Sequence, residues 1–511
     1  MTASYLIATA TGYPSSRVVT CLLALYAATL AGLCYFGLHR IKMLWLYLRH
    51  SRRGGARPAG WTGPVPQVCV QCPVYNEPLM VVALLEKMTA LRWPADRLEI
   101  QVLDDSTDGT SGLISDWLRD HPGRATRVVH LRRGSREGYK AGALAAGMQQ
   151  SGAEFFAVFD ADFRPEPDFL DTLMPYFGDP GVGVVQARWE FNNREASWLT
   201  RFQALFLDAH FIIEQAARHA GGLFFNFNGT AGIWRRAALD AAGGWTADTV
   251  TEDLDASYRA QLQGWRFVYL GHYAVPSELP ENLLAFKSQQ RRWTKGGMQV
   301  ARKLLGPVLA SNQPGRVKRE AFCHLTIGMV HVFLMLFAVL FVPVLFVTGA
   351  HASGWLVWFN PVTVLLTGGT TVAFYVTGQY FRNRRWREGL LWLAVSPLAM
   401  AMGLALSLNG CVAVLEGLLQ RGGEFVRTPK GTRRSAGPGG LLGLRRSRTH
   451  FGLITLGEVG LGSVLLLGAV HFGRQEMLYV SAVLLVKAVG FLALALISSQ
   501  DLLPRPVPQL A

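Results

Sequence analysis

Five stretches of the chain are almost wholly apolar: 18–38, 321–348, 362–381, 453–472 and 477–498. Each approaches the roughly 20 residues an α-helix needs to cross a bilayer, so the pattern predicts five membrane spans. Between the first two, from about residue 60 to 320, apolar positions come in shorter blocks. From Pro66 they read as the strand VCVQCPVY, a helix near 80–91, the strand LEIQVLDD, a helix near 110–119, the strand RVVHLRR, a helix at 139–150 and the strand FAVF. Strand and helix in alternation predict a parallel sheet wound with helices.

One apolar segment resists the simple count. If 389–420 crossed, eight cations between Arg421 and Arg448, opposed only by Glu424, would lie outside. Positive residues stay on the cytoplasmic side, and Pro397, Asn409 and Glu416 interrupt the segment, so interfacial or re-entrant helices are expected. The net charge of +15 is distributed the same way. Cations cluster at Arg40, Lys42, Arg49, Arg52 and Arg53, at Arg382 to Arg387 and in 421–448, whereas Met1 to Ser16, Gly349 to Gly354 and the end from Met477 are nearly neutral. This favours membrane lipids over nucleic acid as the partner of the basic surface. It places the amino terminus outside and both the 60–320 domain and the carboxyl terminus in the cytoplasm of a multi-pass protein of the cell inner membrane. The first span lacks a basic n-region and a small-residue cleavage site, and so reads as a retained anchor.

Candidate chemistry lies at strand ends. FAVFDADFRPEPDF finishes an apolar run with Asp160 and Asp162, and VLDDSTDGT finishes another with Asp104 and Asp105. Open α/β sheets bind ligands at that edge, and paired carboxylate oxygens suit a hard divalent cation shared with phosphates. No G-x-G-x-x-G opens the domain and no G-x-x-x-x-G-K-[ST] occurs, which argues against dinucleotide oxidoreductases and P-loop nucleotidases. TVTEDLDASYRAQLQGW places Glu252, Asp253 and Asp255 at a helix start capped by Thr251. SQQRRWTKGG groups Gln289, Arg292 and Trp293, a set suited to clamping a diphosphate and stacking a ring, or to lying on the membrane surface. Cys69 and Cys72 form a C-x-x-C without a second pair, and read as strand packing residues. His324 and His331 are expected on one face of the second span, and Glu458 and Lys487, on adjacent spans, as a buried structural pair.

The ordered set DDSTD, REGYKAGAL, FDADF, FNFNGTAGIWR, TED and QQRRW resembles the membrane-bound processive glycosyltransferases of family 2, the cellulose synthase superfamily. It is similar in particular to the cellulose synthase-like A and C branches of mannan, glucomannan and glucan synthases. The likeness covers about residues 66–305 and extends loosely to EFVRTPKG.

The resemblance implies a GT-A (Rossmann-like) α/β domain inserted between transmembrane helices. Asp104 and Asp105 would hold the donor's nucleoside and Lys140 its phosphates, with Mg²⁺ or Mn²⁺ on Asp160 and Asp162. Asp253, beside Glu252 in the catalytic T-E-D, would be the general base. Gln289 and Arg292 would meet the diphosphate, Trp293 the acceptor end, and Asn228 would belong to the acceptor site. Thr428 and Lys430 match part of a gating motif, although Arg427 stands where the family has Val. A cyclic-di-GMP-binding domain is not expected to follow.

The expected organisation is an anchor and basic linker (1–60), the GT-A domain ending in interface helices (61–305), spans 2 and 3 (306–388), interfacial helices and a basic loop (389–450), and spans 4 and 5 with a tail (451–511). The expected function is an inverting, processive β-glycosyltransferase that makes a β-1,4-type polysaccharide and passes it across the membrane. Its partners would be a nucleotide sugar, the growing chain and lipid. GDP-mannose and UDP-glucose both remain open as donors, and the alternative is a non-processive enzyme acting on a lipid or polyprenyl phosphate.

Overall fold

The computed structural model describes residues 16–50, 58, 61, 63–123, 126–348, 362–420, 422–423 and 438–502, with backbone alone at 16, 388 and 438–448. Thr428 and Lys430 lie outside the described residues, as do Phe425 and Arg427.

Helix α1, Ser16–His50, has 35 residues. At 1.5 Å per residue it is about 50 Å long, well beyond a roughly 30 Å hydrocarbon layer. Its last turns therefore continue onto the soluble domain, where Met43 is buried against Ile213, Tyr258 and Met298. The domain begins as the alternating pattern predicts: β1 Val68–Val74, α2 Val81–Thr89, β2 Leu98–Asp104, α3 Thr110–Asp120, β3 Arg127–Arg132, α4 Tyr139–Gln149 and β4 Phe155–Val158. After it come β5 Val182–Phe191, α5 Trp198–Asp208, β6 Gly232–Arg235, α6 Glu252–Leu262 and β7 Arg266–Ser277.

The sheet order is β3-β2-β1-β4-β6-β5-β7. It is mixed rather than parallel: β1 to β4 pair in parallel, and β6 runs antiparallel to both β4 and β5. The four residues of β6, GIWR, lack the continuous apolar run of the equally short β4, so the sequence does not announce it. Two apolar layers flank the sheet. Val70, Cys72, Ile100, Phe155 and Phe169 fill one, and Cys69, Leu144, Phe156, Val158 and Trp234 fill the other. Cys69 and Cys72 thus face opposite layers and cannot share a ligand; burial pushes both thiols up.

Beyond the domain run α7 Leu283–Ala310, α8 Gly315–Thr326, α9 Met329–Thr348, α10 Thr370–Asn383, α11 Trp386–Leu419, α12 Pro438–Arg474 and α13 Leu478–Leu502. Five helices among the described residues are long and apolar enough to cross a membrane: Arg17–His50, Met329–Thr348, Gly389–Leu419, Thr449–Arg474 and Leu478–Leu502.

That set differs from the expected one in three places. The second candidate starts at 329, because 315–326 forms a separate amphipathic helix; His324 and His331 therefore lie on different helices. His324 Nδ1 meets Tyr258 Oη at 2.8 Å, whereas His331 packs against Gly410. The segment at 362–381 is interrupted by a π-helical stretch, Leu365–Gly369, and is not among the five.

Residues 389–420, expected as interfacial or re-entrant helices, lie up to Leu419 in the single 34-residue helix α11. Length and composition would let it cross, yet contacts at both ends involve the soluble domain. Just before it, Arg382 pairs with Glu190 at 3.1 Å; just after it, Gly422 N donates to Asp248 O at 2.9 Å.

The buried ion pair also differs from expectation. Glu458 pairs with Lys287 of α7 at 2.7 Å, while Lys487 Nζ sits over the rings of Phe337 and Phe341.

Candidate active site

A cleft opens at the carboxyl edge of β1, β2 and β4, where the strand order reverses and open sheets bind ligands. Tyr75 follows β1, Asp105 follows β2, and Asp160 and Asp162 follow β4; all four line it. Asp105 is paired with Arg133, whose guanidinium also donates to Glu137 O and Tyr139 O. Asp104 points elsewhere. Its buried carboxylate accepts from His130 Nε2 at 2.8 Å, Ser111 Oγ at 2.5 Å and Ser106 N at 2.9 Å. Burial raises its pKa, but those bonds outweigh it and hold the carboxyl well below the usual range. Asp104 is absent from the cleft lining, and its carboxylate faces Ser106, Ser111 and His130 instead.

Lys140, in the first turn of α4, places Nζ 2.6 Å from Asp160 Oδ1 and 2.9 Å from Gly229 O. Asp162 accepts from Glu278 N at 3.2 Å. Among the described residues no three or more His, Cys, Asp or Glu side chains are arranged so that they could hold a metal ion by themselves. The donor set is two carboxylates that leave most positions of a divalent cation to phosphate oxygens and water, which fits an ion arriving with a diphosphate. An ammonium and such a cation would share Asp160.

The far wall comes from α6 and α7. Thr251 occupies the N-cap position of α6 but makes no side-chain cap bond. Its side chain instead presses on Gly296, where an added Cβ would lie 2.4 Å from Thr251 Oγ1. Glycine at 296 thus lets the start of α6 abut α7 and brings Glu252 and Asp253 to Gln289, Arg292 and Trp293, all of them cleft residues. Gly229, with φ of +82°, passes so close that a Cβ there would lie 2.9 Å from Asp253 Oδ2. Burial pushes the Asp253 carboxyl up to about 7, helped by the Glu252 carboxylate and opposed by Lys140, the Leu254 N–H and Arg292. Arg292 is lowered by burial, with Glu252, Asp253 and Asp160 drawing it back up. A carboxylate poised near neutrality beside two cations can accept a proton while an anionic leaving group is held nearby.

The cleft unites Asp105, Lys140, Asp160, Asp162, Asn228, Glu252, Asp253, Gln289, Arg292 and Trp293. Sequence reasoning missed Tyr75, Arg136 and Trp189. The Arg136 guanidinium stacks 3.4 Å from the Tyr75 ring centroid, and Trp189 lies against Phe163 and Phe211. Extending the strand-end rule to β1 would have found Tyr75; Trp189 lies within β5, where nothing marks it.

The model of the family described as "Glycosyltransferase like family 2" matches residues 66–296. A probable glucomannan 4-beta-mannosyltransferase of Oryza sativa subsp. japonica is 43% identical over 270 residues, covering 52% of this chain and 46% of that protein. Glucomannan 4-beta-mannosyltransferase 1 of the same organism is 35% identical over 386 residues, covering 72% and 70%. The chain spans about half the length of the first several such relatives. In fold it resembles a mannosyltransferase from Pyrobaculum calidifontis solved with GDP-Man and Mn²⁺, at a TM-score of 0.53 and 19% identity, covering 77% of this chain and 99% of that one. A GT-A sheet flanked by long apolar helices, with this cleft and these relatives, means that the chain belongs to glycosyltransferase family 2, on the branch of the cellulose synthase-like A glucomannan 4-beta-mannosyltransferases.

Proposed function

We propose that this multi-pass membrane protein transfers mannose from GDP-mannose to a growing β-1,4-linked glycan with inversion. The observation that carries the reading is Asp253: a half-buried carboxylate raised to about 7, set between Lys140 and Arg292 in the cleft that holds Asp160 and Asp162. The kinship with glucomannan 4-beta-mannosyltransferases supports mannose over glucose.

In this mechanism Asp253 takes the proton of an acceptor hydroxyl as that oxygen attacks the anomeric carbon from the face opposite the diphosphate. One carbon–oxygen bond forms, the bond to the diphosphate breaks, and GDP leaves. Lys140 and Arg292 hold the charge that develops on the leaving phosphates, while Trp293 offers the acceptor sugar a stacking face. A divalent cation on Asp160 and Asp162, Mn²⁺ or Mg²⁺, would neutralise the diphosphate further.

The same reading makes the enzyme processive and sends the polymer out through the membrane helices, with the catalytic domain cytoplasmic and α11 along that interface. The contact between Gly422 and Asp248 supports this topology, since it starts the basic loop on the catalytic side. Purified protein supplied with radiolabelled GDP-mannose or UDP-glucose tests the proposal. Label is expected in a long β-mannan from GDP-mannose; incorporation only from UDP-glucose, or a single sugar on lipid, would overturn it.

A further inference from the structure

Between α5 and the helical turn Gln215–Ala220, the segment Ala209–Glu214 is wound as a π-helix. Such insertions recur at functional sites. This one presents His210 to the loop that carries Asn228. His210 Nε2 lies 3.4 Å from Asn228 Oδ1, and Nδ1 lies 2.9 Å from Glu214 Oε2. Each ring nitrogen thus faces an acceptor, an amide oxygen on one side and a carboxylate oxygen on the other.

The orientation of the Asn228 amide follows from its other neighbours. Gln215 Nε2 donates to backbone Asn226 O at 3.1 Å and to Asn228 Oδ1 at 3.0 Å. Asn226 Nδ2 donates to backbone Phe227 O at 3.2 Å and to Asn228 Oδ1 at 3.0 Å. Backbone carbonyls accept only, so both amides are fixed as donors, and the atom they share on Asn228 is oxygen. Among the described residues Asn228 Nδ2 is a buried donor without a partner, on a residue that lines the cleft. The next residue, Gly229, touches Lys140 and abuts Asp253.

We propose that His210, clamped by Glu214, is a positioning residue that holds Asn228 with its amide NH₂ available to a hydroxyl of the acceptor sugar beside Asp253. The clamp is anchored in turn. Glu214 meets Arg218 at 3.4 Å, Arg218 meets Glu320 at 3.1 Å, and Glu320 binds His39 and Lys42 of α1 at 2.9 and 2.7 Å. The aim of Asn228 is therefore set from the base of the membrane anchor as well as from its own loop. The inference rests on the transfer reading above and assigns the acceptor side of that site.

The test is a double-mutant cycle on the full chain in lipid, reading mannose transfer and GDP binding. His210→Phe, which keeps a ring but no donor, should lower kcat for transfer about tenfold, the effect of one lost hydrogen bond to an oriented group. GDP affinity should stay within about twofold, because nothing in the clamp faces the nucleotide. His210→Gln, with a donor near the Nε2 position, should recover roughly half of the loss on a logarithmic scale. Asn228→Ala should show a similar loss, and adding His210→Phe to it should cost nothing more, since both act through one amide.

Independent, multiplicative losses, or His210→Phe at the wild-type rate, would overturn the proposal. Should His210→Phe fail to bind GDP, Glu214→Gln replaces it in the cycle with the same expectation and the same refuting result. A wild-type protein that binds GDP yet incorporates no mannose would show instead that the transfer reading is wrong, and the inference would fall with it.

Discussion

Two clusters of buried charge lie on either side of the loop that carries Asn228, and they are built on opposite terms. At the junction with the anchor, the fully buried Glu320 carboxylate accepts from His39, Lys42 and Arg218. Burial raises its pKa, but the three donors outweigh burial and hold it well below the usual range. In the cleft, Asp253 is half-buried, its hydrogen bond comes from the neighbouring Leu254 N–H at 2.8 Å, and it rises to about 7. A carboxylate saturated with donors is a rivet; one left short of them keeps affinity for a proton and can exchange it.

Removing each carboxylate should expose that difference. Asp253→Asn keeps size and removes the proton acceptor, so transfer should fall by about 10² to 10⁴ with GDP binding nearly intact. Near-normal turnover would dissolve the contrast at its active end. Glu320→Ala should act on stability instead: it strands the buried Arg218 and the half-buried Lys42, a loss of about 3–5 kcal/mol for a broken buried pair. Thermal unfolding in detergent reads it, and because Glu320 anchors the His210 clamp through Arg218 and Glu214, kcat of the surviving folded protein should fall by no more than the about tenfold expected of His210→Phe. A smaller effect belongs to the cation. Asp162→Ala should weaken metal-dependent binding of the nucleotide sugar about 10- to 100-fold, and EDTA should reproduce that in the wild type. Full activity after chelation would remove the metal from the cleft and leave Lys140, Arg136 and Arg292 as its countercharge.

The asymmetry between the clusters also explains what the sequence could reveal. Asp160 and Asp162 follow a strand, where an acidic pair after an apolar run breaks the local pattern, and Glu252 and Asp253 open a helix; they were legible for those reasons. Asp104 shows the limit of the same rule. It has the same strand-end position as its neighbour Asp105, and only the fold reveals that one carboxylate turns under the loop. The first four strands were readable from their apolar blocks, whereas β6, GIWR, has no such block and its antiparallel pairing depends on distant partners. Junction residues left no trace. Glu320 meets partners 102 to 281 positions away, and neither its spacing nor its surroundings announces them. The membrane region erred in the same way: Lys287 sits within an interface helix whose charges look solvated, yet it is fully buried against Glu458.

The finest separation of the two clusters is by pH. Asp253 must be ionised to accept a proton, and with its pKa near 7 the ionised fraction falls about tenfold per unit below that value. Transfer should therefore lose activity on the acid side of about pH 7 and level off above it. The sign for stability is the reverse: the folded protein holds this proton more tightly than the unfolded chain, whose Asp titrates near about 3.9, so ionising Asp253 disfavours folding progressively as pH rises from about 4 to 7. Glu320 runs the other way. Its lowered pKa gives stability that is present above the unfolded value of about 4.3 and is lost only in stronger acid. Between pH 5 and 8 activity should thus move while the Glu320 contribution stays constant. Glu252→Gln sharpens the distinction, because the Glu252 carboxylate is the second cause of the Asp253 shift after burial. Without that like charge Asp253 ionises more readily, and the acidic limb should move to lower pH by less than about one unit, the burial contribution remaining. A limb that does not move in Glu252→Gln would assign the titration to some group other than Asp253, and with it the proton transfer.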